Sequence, residues 1–419
     1  MSVPEPFRAT VSRRQSQAVF RRRRLLVGVA GVLLLAVCAW LVAVLAVPLP
    51  SSSTDVTFAE SVSGTTANPN VPTVGSTAVS SIEFGYFAGE PSHDKVPIAS
   101  ITKVITALMV LRAHPLTANE PGPTITFGEP DVAQIADVVA QNGNYADISV
   151  GDTTTERDAL EVMLLKSANN IAGSLAIWAY GSMENYLTAT SAWLTEQGLT
   201  ETVVVDASGL NSGTQSSPAN LLAIAERAMS DPVLASIVGT KEIEVPLFGK
   251  LTNGNTILGQ AGIDGVKTGT TDEAGSCLLY SATFSAGTTP IHVFGITTGA
   301  LHQADLQASV AAYVASIEQG FHDVSLADPS VPVANVTTPW DTNSAIVPEK
   351  ASRAVTWSDT PVAVEIVLDD FRGGAAGAHV GQMSFDTPEG KVVVPLVLAQ
   401  DLGDPGPVWR FTHVAQLFG

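Results

Sequence analysis

The sequence predicts an α+β protein that is preceded by a membrane helix and followed by a small β-rich domain. The first observation is a run of 23 uncharged, mostly apolar residues near the N-terminus. The second is a block of helical apolar patterns with strand-like segments on either side, an arrangement typical of α+β domains. The third is a series of short Val-rich segments near the C-terminus, separated by Gly, Pro and Asp as strands are by turns. With 419 residues, the chain has room for two or three domains of about 150 residues each.

The apolar run covers residues 25–47 and reads LLVGVAGVLLLAVCAWLVAVLAV. As a helix it would be about 35 Å long, enough to cross a hydrocarbon core of about 30 Å. Seven Arg lie among residues 1–24, so the positive-inside rule places that end in the cytoplasm and everything after Pro48 outside. The alternative is a cleaved signal peptide, since small residues occur at Val44-Leu45-Ala46, but the run is long for such a segment. We expect an uncleaved, single-pass anchor in a bacterial cell membrane.

Composition and periodicity divide the remainder of the chain. A Ser-, Thr-, Pro- and Asn-rich segment predicts an extended tether. Strand patterns at 77–88 and after residue 262 enclose helical patterns at 101–111, about 155–180 and 185–197, and a further helical pattern follows at 304–320. The predicted organisation is therefore a cytoplasmic basic tail (1–24), a transmembrane anchor (25–47), a linker (48–75), an α+β domain (76–320) and a small β-rich domain (321–419).

The charge distribution excludes one broad class of function. The chain has 21 basic and 40 acidic residues, and its first 24 residues hold seven Arg and one Glu. The remainder thus carries a net charge of −25, which would repel nucleic-acid phosphates, and we expect no nucleic-acid partner. The two cysteines, Cys38 and Cys277, form no CxxC or Cys/His cluster, so neither a disulfide framework nor a zinc site is expected. Cys277 lies in an apolar strand pattern and is expected to be a buried thiol.

The first chemical motif is an SxxK, Ser100-Ile101-Thr102-Lys103, at the start of an apolar helical pattern. Residues i and i+3 share a helix face, so Lys103 would lie one turn from the Ser100 hydroxyl. Apolar neighbours favour a neutral amine, which can take a proton from serine. A second SxxK, beginning at Ser92, lies in a polar turn and lacks this context. For SxxK alone, the commoner interpretation is an N-cap serine with a lysine that extends to solvent.

Two further motifs follow along the chain. Ser167-Ala168-Asn169 is the only Ser-x-Asn, within a helical pattern, and its alternative interpretation is a polar break between helices. Lys267-Thr268-Gly269 is the only KTG, on a strand predicted to begin at Gly265. The alternative there is a lysine that protects an exposed sheet edge. No GxSxG, HExxH or phosphate-binding glycine loop is present.

The order SxxK, SxN, KTG, with gaps of 67 and 100 residues, is more specific than any motif alone. It resembles the active-site set of the penicillin-binding proteins and serine β-lactamases, and most closely that of the low-molecular-weight D-alanyl-D-alanine carboxypeptidases. The local sequences PIASITK, GLTET, DASGL, DGVKTGTT and AGSCL resemble that family too. The resemblance covers residues 76–320 and implies a β-lactamase/transpeptidase-like fold, an antiparallel sheet with a helical block.

The resemblance also implies catalytic roles. Ser100 would attack the D-Ala-D-Ala carbonyl of a peptidoglycan stem peptide, with Lys103 as its general base. Ser167 would relay a proton to the leaving D-alanine amine. The backbone N–H groups of Ser100 and Thr270 would form the oxyanion hole, and water would hydrolyse the acyl-enzyme. No cofactor or metal is implied, and β-lactams would be inhibitors.

The substrate-binding residues follow from the same resemblance. Asn169 would hold the substrate's amide, while Lys267 and Thr268, with Gly269 and Thr270 beside them, would bind the terminal carboxylate. The family often places an arginine near that carboxylate, but no Arg or Lys occurs between Lys267 and Lys350. His302, shortly after the second predicted strand beyond KTG, is the basic candidate for that role, and a loop position far from the active site is its alternative interpretation.

Two other functions compete with the carboxypeptidase. A β-lactamase of the same fold would need a deacylating glutamate, and no ExxLN-like segment follows Asn169. A catalytically inactive, anchored wall-binding protein would need none of the motif residues. The sequence does not decide whether cross-links are cut as well as terminal D-alanine.

Overall fold

The computed structural model describes residues 12–87 and 91–418 of the chain. Helix α1 (Ser12–Ala46) is followed by two short strands, β1 (Ser53–Val56) and β2 (Ser61–Val62). Within Val19–Ala46 of α1, the most apolar stretch of 18 residues has a mean hydropathy of 2.8 and is almost entirely exposed. The uncharged part of the helix, residues 25–46, spans about 33 Å, enough for a hydrocarbon core of about 30 Å. The predicted basic tail does not end where the helix begins, because residues 12–24 belong to α1; residues 1–11 lie outside the described residues.

Residues 76–320, called here the central region, contain a sheet, a block of helices and one further helix. The elements in chain order are β3 (Ser76–Ser81), β4 (Gly85–Tyr86), β5 (Val96–Pro97), α2 (Thr102–Ala113), β6 (Thr124–Thr126), α3 (Glu129–Ala140), β7 (Thr153–Thr155), α4 (Glu156–Leu165), α5 (Asn169–Tyr180), α6 (Met183–Glu196), β8 (Gln215–Ser216), α7 (Pro218–Ser230), α8 (Pro232–Val238), β9 (Glu242–Val245), β10 (Gly249–Thr252), β11 (Ile263–Thr271), β12 (Gly275–Ala286), β13 (Thr289–Ala300) and α9 (Gln303–Glu318).

The main sheet of the central region has five antiparallel strands in the order β11-β12-β13-β3-β4. Both of its faces are covered, which explains the continuous apolar run in β12. Cys277 and Leu279 pack into the core of the helical block, whereas Leu278 and Tyr280 pack into a second core with α9. Cys277 is buried as expected, and burial raises the pKa of its thiol to about 11. The predicted α+β architecture is confirmed.

Residues 321–418, called here the C-terminal region, are mainly strands, as predicted. They are β14 (Phe321–Ala327), β15 (Ala334–Thr337), β16 (Asn343–Pro348), β17 (Ser352–Trp357), β18 (Val362–Leu368), β19 (His379–Thr387) and β20 (Gly390–Leu398), followed by α10 (Gly406–Thr412) and α11 (Val414–Phe418). β14 pairs with β17. The larger sheet has the order β1-β15-β16-β20-β19-β18-β2 and surrounds its own apolar core.

The segment predicted as a tether, residues 48–75, is extended but docked. β1 pairs with β15, and β2 pairs with β18, so the segment covers both edges of the larger sheet. Beyond β2, Thr66 Oγ1 donates to Asp359 Oδ2 at 2.8 Å, and Asn70 N donates to Ser316 Oγ on α9 at 2.8 Å. Strand edges expose unpaired backbone groups, and an extended polar segment can satisfy them. The segment therefore connects α1, the C-terminal region and the central region.

Candidate active site

Ser100 lies in a 3₁₀ turn, Ala99–Ile101, that leads directly into α2. Lys103, in the first turn of α2, places its Nζ 2.9 Å from Ser100 Oγ. Ala99 has φ of 47°, in the left-handed region that non-glycine residues rarely adopt. Such conformations persist where the surrounding structure fixes them, and here the turn leaves Ser100 partly exposed between the buried residues Ala99 and Ile101.

Lys103 is completely buried and makes three hydrogen bonds to oxygen atoms. Besides contacting Ser100, its Nζ donates to Asn169 Oδ1 at 2.6 Å and to the Ser208 carbonyl at 2.8 Å. Burial lowers the pKa of Lys103 well below its ordinary value, and the nearby charge of Lys267 lowers it further, with Asp206 opposing. A neutral Nζ has a lone pair, so the Ser100 contact can reverse, with the hydroxyl donating. The arrangement can therefore take the serine proton.

Ser167 and Asn169 lie at a break between two helices. The continuous helical pattern at 155–180 is interrupted, because α4 ends at Leu165 and α5 begins at Asn169. Ser167 adopts φ of 61°, which a continuing helix does not permit. The break buries Ser167, which is 9% exposed, and turns Asn169 toward Lys103. Asn169 Nδ2 also donates to the Asn144 carbonyl at 2.8 Å, which leaves its second amide hydrogen available.

Lys267 is on β11, which lies at an edge of the five-stranded sheet. A lysine that protects an exposed edge would be solvated, but Lys267 is only 3% exposed. Its Nζ donates to the Thr268 carbonyl at 2.9 Å, and burial lowers its pKa to about 7. Gly269 accommodates the close approach of β11 to the nucleophile turn, since a Cβ there would make a tight contact of 3.1 Å with Ser100 N. The KTG strand thus passes directly beside Ser100.

Sequence reasoning missed the loop that supplies the Ser208 carbonyl. The Asp206 carboxylate accepts hydrogen bonds from Ser208 Oγ (2.7 Å), Gly209 N (2.9 Å), Leu210 N (3.0 Å) and Thr214 Oγ1 (2.7 Å). Gly209 has φ of 80°, and a Cβ there would collide with the Ala99 carbonyl. The available signal was the DASGL segment, whose Asp, Ser and Gly are typical of a tight turn. Asp206 therefore positions the Ser208 carbonyl, which accepts a hydrogen bond from Lys103.

The residue of α9 that contacts the KTG strand is Gln303, the neighbour of His302. His302 is the exposed N-cap residue of α9. Its neighbour Gln303 instead accepts a hydrogen bond from Thr270 Oγ1 through Oε1, at 3.3 Å. One turn later, Gln307 Nε2 donates to the Gly254 carbonyl at 3.0 Å. α9 therefore supports the end of β11 and the loop beside it with two amide side chains.

Two cavities border the motif residues. One, called here the Ser167 chamber, has a volume of about 540 Å³ and is lined by Ser167, Thr268 and residues of three loops. The other, of about 280 Å³, is lined by Asn169, Ser208 and polar residues of α3. Among the described residues, no group of three or more His, Cys, Asp or Glu side chains is arranged to hold a metal ion.

The family model and the individual relatives that match the chain indicate the same family. Residues 87–295, which include all three motifs, match the family model of D-alanyl-D-alanine carboxypeptidases. The chain is 30% identical over 202 residues to the D-alanyl-D-alanine carboxypeptidase of Streptomyces sp. strain K15, covering 44% of this chain and 67% of that protein. It is 28% identical over 196 residues to the D-alanyl-D-alanine carboxypeptidase DacC of Escherichia coli K12, covering 46% of this chain and 48% of the relative.

A solved structure extends the similarity of fold beyond the motifs. Penicillin binding protein 5 from Haemophilus influenzae superposes with a TM-score of 0.55 at 16% identity, covering 79% of this chain and 98% of that one. The chain spans about half the length of DacC and two thirds of the Streptomyces protein. It belongs to the D-alanyl-D-alanine carboxypeptidase family of low-molecular-weight penicillin-binding proteins.

Proposed function

We propose that this protein is a serine D-alanyl-D-alanine carboxypeptidase that acts on peptidoglycan stem peptides and is inhibited by β-lactams. One observation carries the proposal: the fully buried Nζ of Lys103 lies 2.9 Å from Ser100 Oγ and 2.6 Å from Asn169 Oδ1. A buried lysine without a carboxylate partner is costly to the fold. Its depressed pKa is what a general base for serine needs.

Acylation begins when Ser100 Oγ attacks the carbonyl carbon of the penultimate D-alanine. Lys103 takes the hydroxyl proton, and the backbone N–H groups of Ser100 and Thr270 stabilise the oxyanion. The bond to the leaving D-alanine nitrogen then breaks, and the proton reaches that nitrogen through Ser167. Lys103 is neutral again and can activate the water that hydrolyses the ester at Ser100.

Substrate selection uses charge and hydrogen bonding at the edge of the sheet. Lys267, when protonated, and the Thr268 hydroxyl bind the terminal carboxylate, as a cation and a hydroxyl side by side on a strand can do. The amide hydrogen of Asn169 that Asn144 does not use holds the substrate's amide carbonyl. A β-lactam has a comparable acyl group and carboxylate, so it forms the same ester at Ser100.

The setting of the enzyme is the outer face of a bacterial membrane. α1 is uncharged over residues 25–46, directly after the four arginines Arg21–Arg24. These features support an uncleaved anchor with its N-terminus in the cytoplasm and residues 48–419 outside. Edman sequencing of the mature protein tests this topology, since a start at Val47 would show a cleaved signal peptide.

D-alanine release from an N-acylated peptide ending in D-Ala-D-Ala, measured with the full-length protein in detergent, tests the activity. Ser100→Ala is expected to abolish release. Ser92→Ala is the matched control, because Ser92 begins the other SxxK but lies in an exposed turn, and it should retain wild-type release. Full activity of Ser100→Ala would refute the mechanism, while absence of D-alanine release by the wild type would favour a wall-binding protein. Rapid, repeated hydrolysis of penicillin would favour the β-lactamase alternative.

A further inference from the structure

Helix α10 packs against the outer end of α1. Trp40 of α1 contacts Phe411 of α10, with ring centroids 5.8 Å apart. The buried Arg410 donates to the Val47 carbonyl at 2.7 Å and to Asp404 Oδ2 at 2.8 Å. The inference below rests on the proposed membrane setting, in which α1 ends at the outer surface of the hydrocarbon core. These contacts then hold one face of the C-terminal region next to the outer leaflet.

A cavity of about 470 Å³, called here the membrane-proximal cavity, opens on this face. Its lining comes from three segments: Leu49 just after α1, residues 372–375 after β18, and residues 401–404 after β20. Leu49 is three residues beyond Ala46, which is at most about 10 Å along an extended chain. Lipid head groups occupy about 5–7 Å outside each surface of the hydrocarbon core. The cavity therefore lies at or beside the head-group layer.

Hydrogen bonds fix the walls of the membrane-proximal cavity. Gly374 N donates to the Leu402 carbonyl at 3.0 Å, and Leu402 N donates to the Gly374 carbonyl at 2.7 Å. Gly373 has φ of 136°, and a Cβ there would lie 2.7 Å from the Leu402 carbonyl oxygen, so glycine keeps this wall open. Ala376 N donates to Asp401 Oδ1 at 2.6 Å and holds that carboxylate in place. The shape of the cavity is thus set by the fold.

The charges of the lining leave one cation and one carboxylate oxygen without a partner. Arg372 is exposed, and among residues 12–87 and 91–418 its guanidinium forms no ion pair. Asp404 is paired with Arg410, whereas Asp401 uses only Oδ1, for Ala376. An anion alone would match Arg372 but would be repelled by Asp401. A group that carries both a phosphate and an amine matches the two.

We propose that the membrane-proximal cavity binds the head group of a zwitterionic phospholipid of the phosphoethanolamine type. The Arg372 guanidinium donates two parallel hydrogen bonds to the phosphate, and Asp401 Oδ2 accepts from the ammonium group. At about 30 Å³ per water molecule, the cavity has the volume of roughly sixteen waters, enough for the head group and its glycerol. The acyl chains extend past Leu49 into the hydrocarbon core beside α1. The bound lipid would fix the orientation of the C-terminal region on the membrane.

Native mass spectrometry of the full-length protein in detergent, titrated with dihexanoyl phosphatidylethanolamine, tests the proposal. We expect one bound lipid, with an affinity that falls about tenfold or more in Arg372→Gln and in Asp401→Asn, because each loses a charge-assisted hydrogen bond. Lys350→Gln is the matched control: it removes the charge of an exposed lysine of the same region, outside the cavity, and should keep the wild-type affinity. Wild-type affinity in both cavity variants would overturn the proposal.

Three other ligands distinguish the possible sources of the phosphate. Inorganic phosphate, free phosphoethanolamine and dihexanoyl phosphatidylglycerol should each bind about tenfold more weakly than the phosphoethanolamine lipid. Equal binding of either soluble compound would show a site for a soluble phosphate and overturn the lipid assignment. Equal binding of phosphatidylglycerol would overturn the role of the amine and of Asp401.

The same spectra separate a failure of this inference from a failure of the proposed setting. A protein mass that lacks residues 1–46 would refute the anchor on which the inference rests. A full-length mass without lipid binding would refute the inference alone. D-alanine release should be equal in the wild type and the three variants, because none of the substituted residues lines the two cavities beside the motif residues.

Discussion

The central and C-terminal regions differ in the hydrogen-bond partners of their buried basic side chains. In the central region, Lys103 and Lys267 are buried with only neutral oxygen atoms as hydrogen-bond partners. Within the described part of the C-terminal region, Arg410 is the only buried charged residue, and it is paired with Asp404 at 2.8 Å. The other buried residues of that region are uncharged, and most of them are apolar, such as Phe385 and Leu396.

The contrast separates residues selected for chemistry from residues selected for packing. Burying an unpaired charge costs several kcal/mol unless the group loses its charge, so a neutral lysine is the state that such a site favours. A neutral lysine is useful for proton transfer, but it has no such role in the larger sheet of the C-terminal region. We therefore expect substitution of the buried lysines in the central region to lower activity, and substitution of core residues in the C-terminal region to lower stability.

The largest effect is expected at Lys103. Lys103→Met should slow acylation by a β-lactam about 10²- to 10⁴-fold, because general-base assistance is lost. The melting temperature should change little, because the loss of three hydrogen bonds from Nζ opposes the gain from replacing a buried amine with an apolar side chain of similar length. Acylation kinetics and thermal unfolding of the same preparation measure both. Near-wild-type acylation would remove Lys103 from the mechanism.

A core residue of the C-terminal region should behave in the opposite way. Phe385→Ala should lower the free energy of unfolding by about 3–5 kcal/mol, because it leaves a cavity in a fully buried core. The acylation rate per folded molecule should not change. Denaturant unfolding followed by titration with a labelled penicillin would check both. A large change in acylation rate would show that the two regions are not separable in this way.

The pH dependence should reveal both buried lysines. Lys267 has its pKa lowered to about 7, so its positive charge is present below that pH and is lost above it. The peptide carboxylate stays ionised throughout, and kcat/KM should therefore fall up to tenfold per unit as pH rises above about 7. kcat/KM should also fall as the pH drops through the lowered pKa of Lys103, because Lys103 then gains a proton and can no longer act as a base. The fall of kcat at alkaline pH should occur at a higher pH than that of kcat/KM, because the bound carboxylate favours the protonated form of Lys267. A kcat/KM that does not depend on pH would contradict these assignments.

The smallest effect is expected at the docked segment before the central region. Thr66→Val removes the exposed hydrogen bond to Asp359 Oδ2 and should cost about 1 kcal/mol or less. Acylation should be unaffected. Thermal unfolding is the measurement, and a loss of several kcal/mol would mean that the segment carries more of the connection between the two regions than its hydrogen bonds account for.

The fold class and the motif positions could be predicted because they depend on local patterns. The one-turn spacing of Ser100 and Lys103 follows from helix geometry. The packing of successive β12 side chains on opposite faces of the sheet follows from strand geometry. The break at Ser167 is only the alternative interpretation that the sequence offers for the Ser-x-Asn motif, since the apolar pattern on both sides continues without interruption. Only the tertiary contact between Asn169 and Lys103 gives the break a reason.

Long-range pairings account for the remaining differences. The composition of residues 48–75 indicated an extended segment, but not that Ser53 pairs with Thr337, 284 residues later. Likewise, the sequence pointed to His302 by its charge, whereas the orientation of α9 brings Gln303 to Thr270. Such contacts depend on how distant elements pack, and no local pattern encodes them.

We propose that Ser100 is the nucleophile that becomes acylated. Mass spectrometry of the protein after treatment with penicillin, followed by proteolysis, locates the adduct directly. We expect one adduct, on the peptide that contains Ser100, and none on the Ser100→Ala protein. An adduct on Ser92 or Ser167 would contradict it.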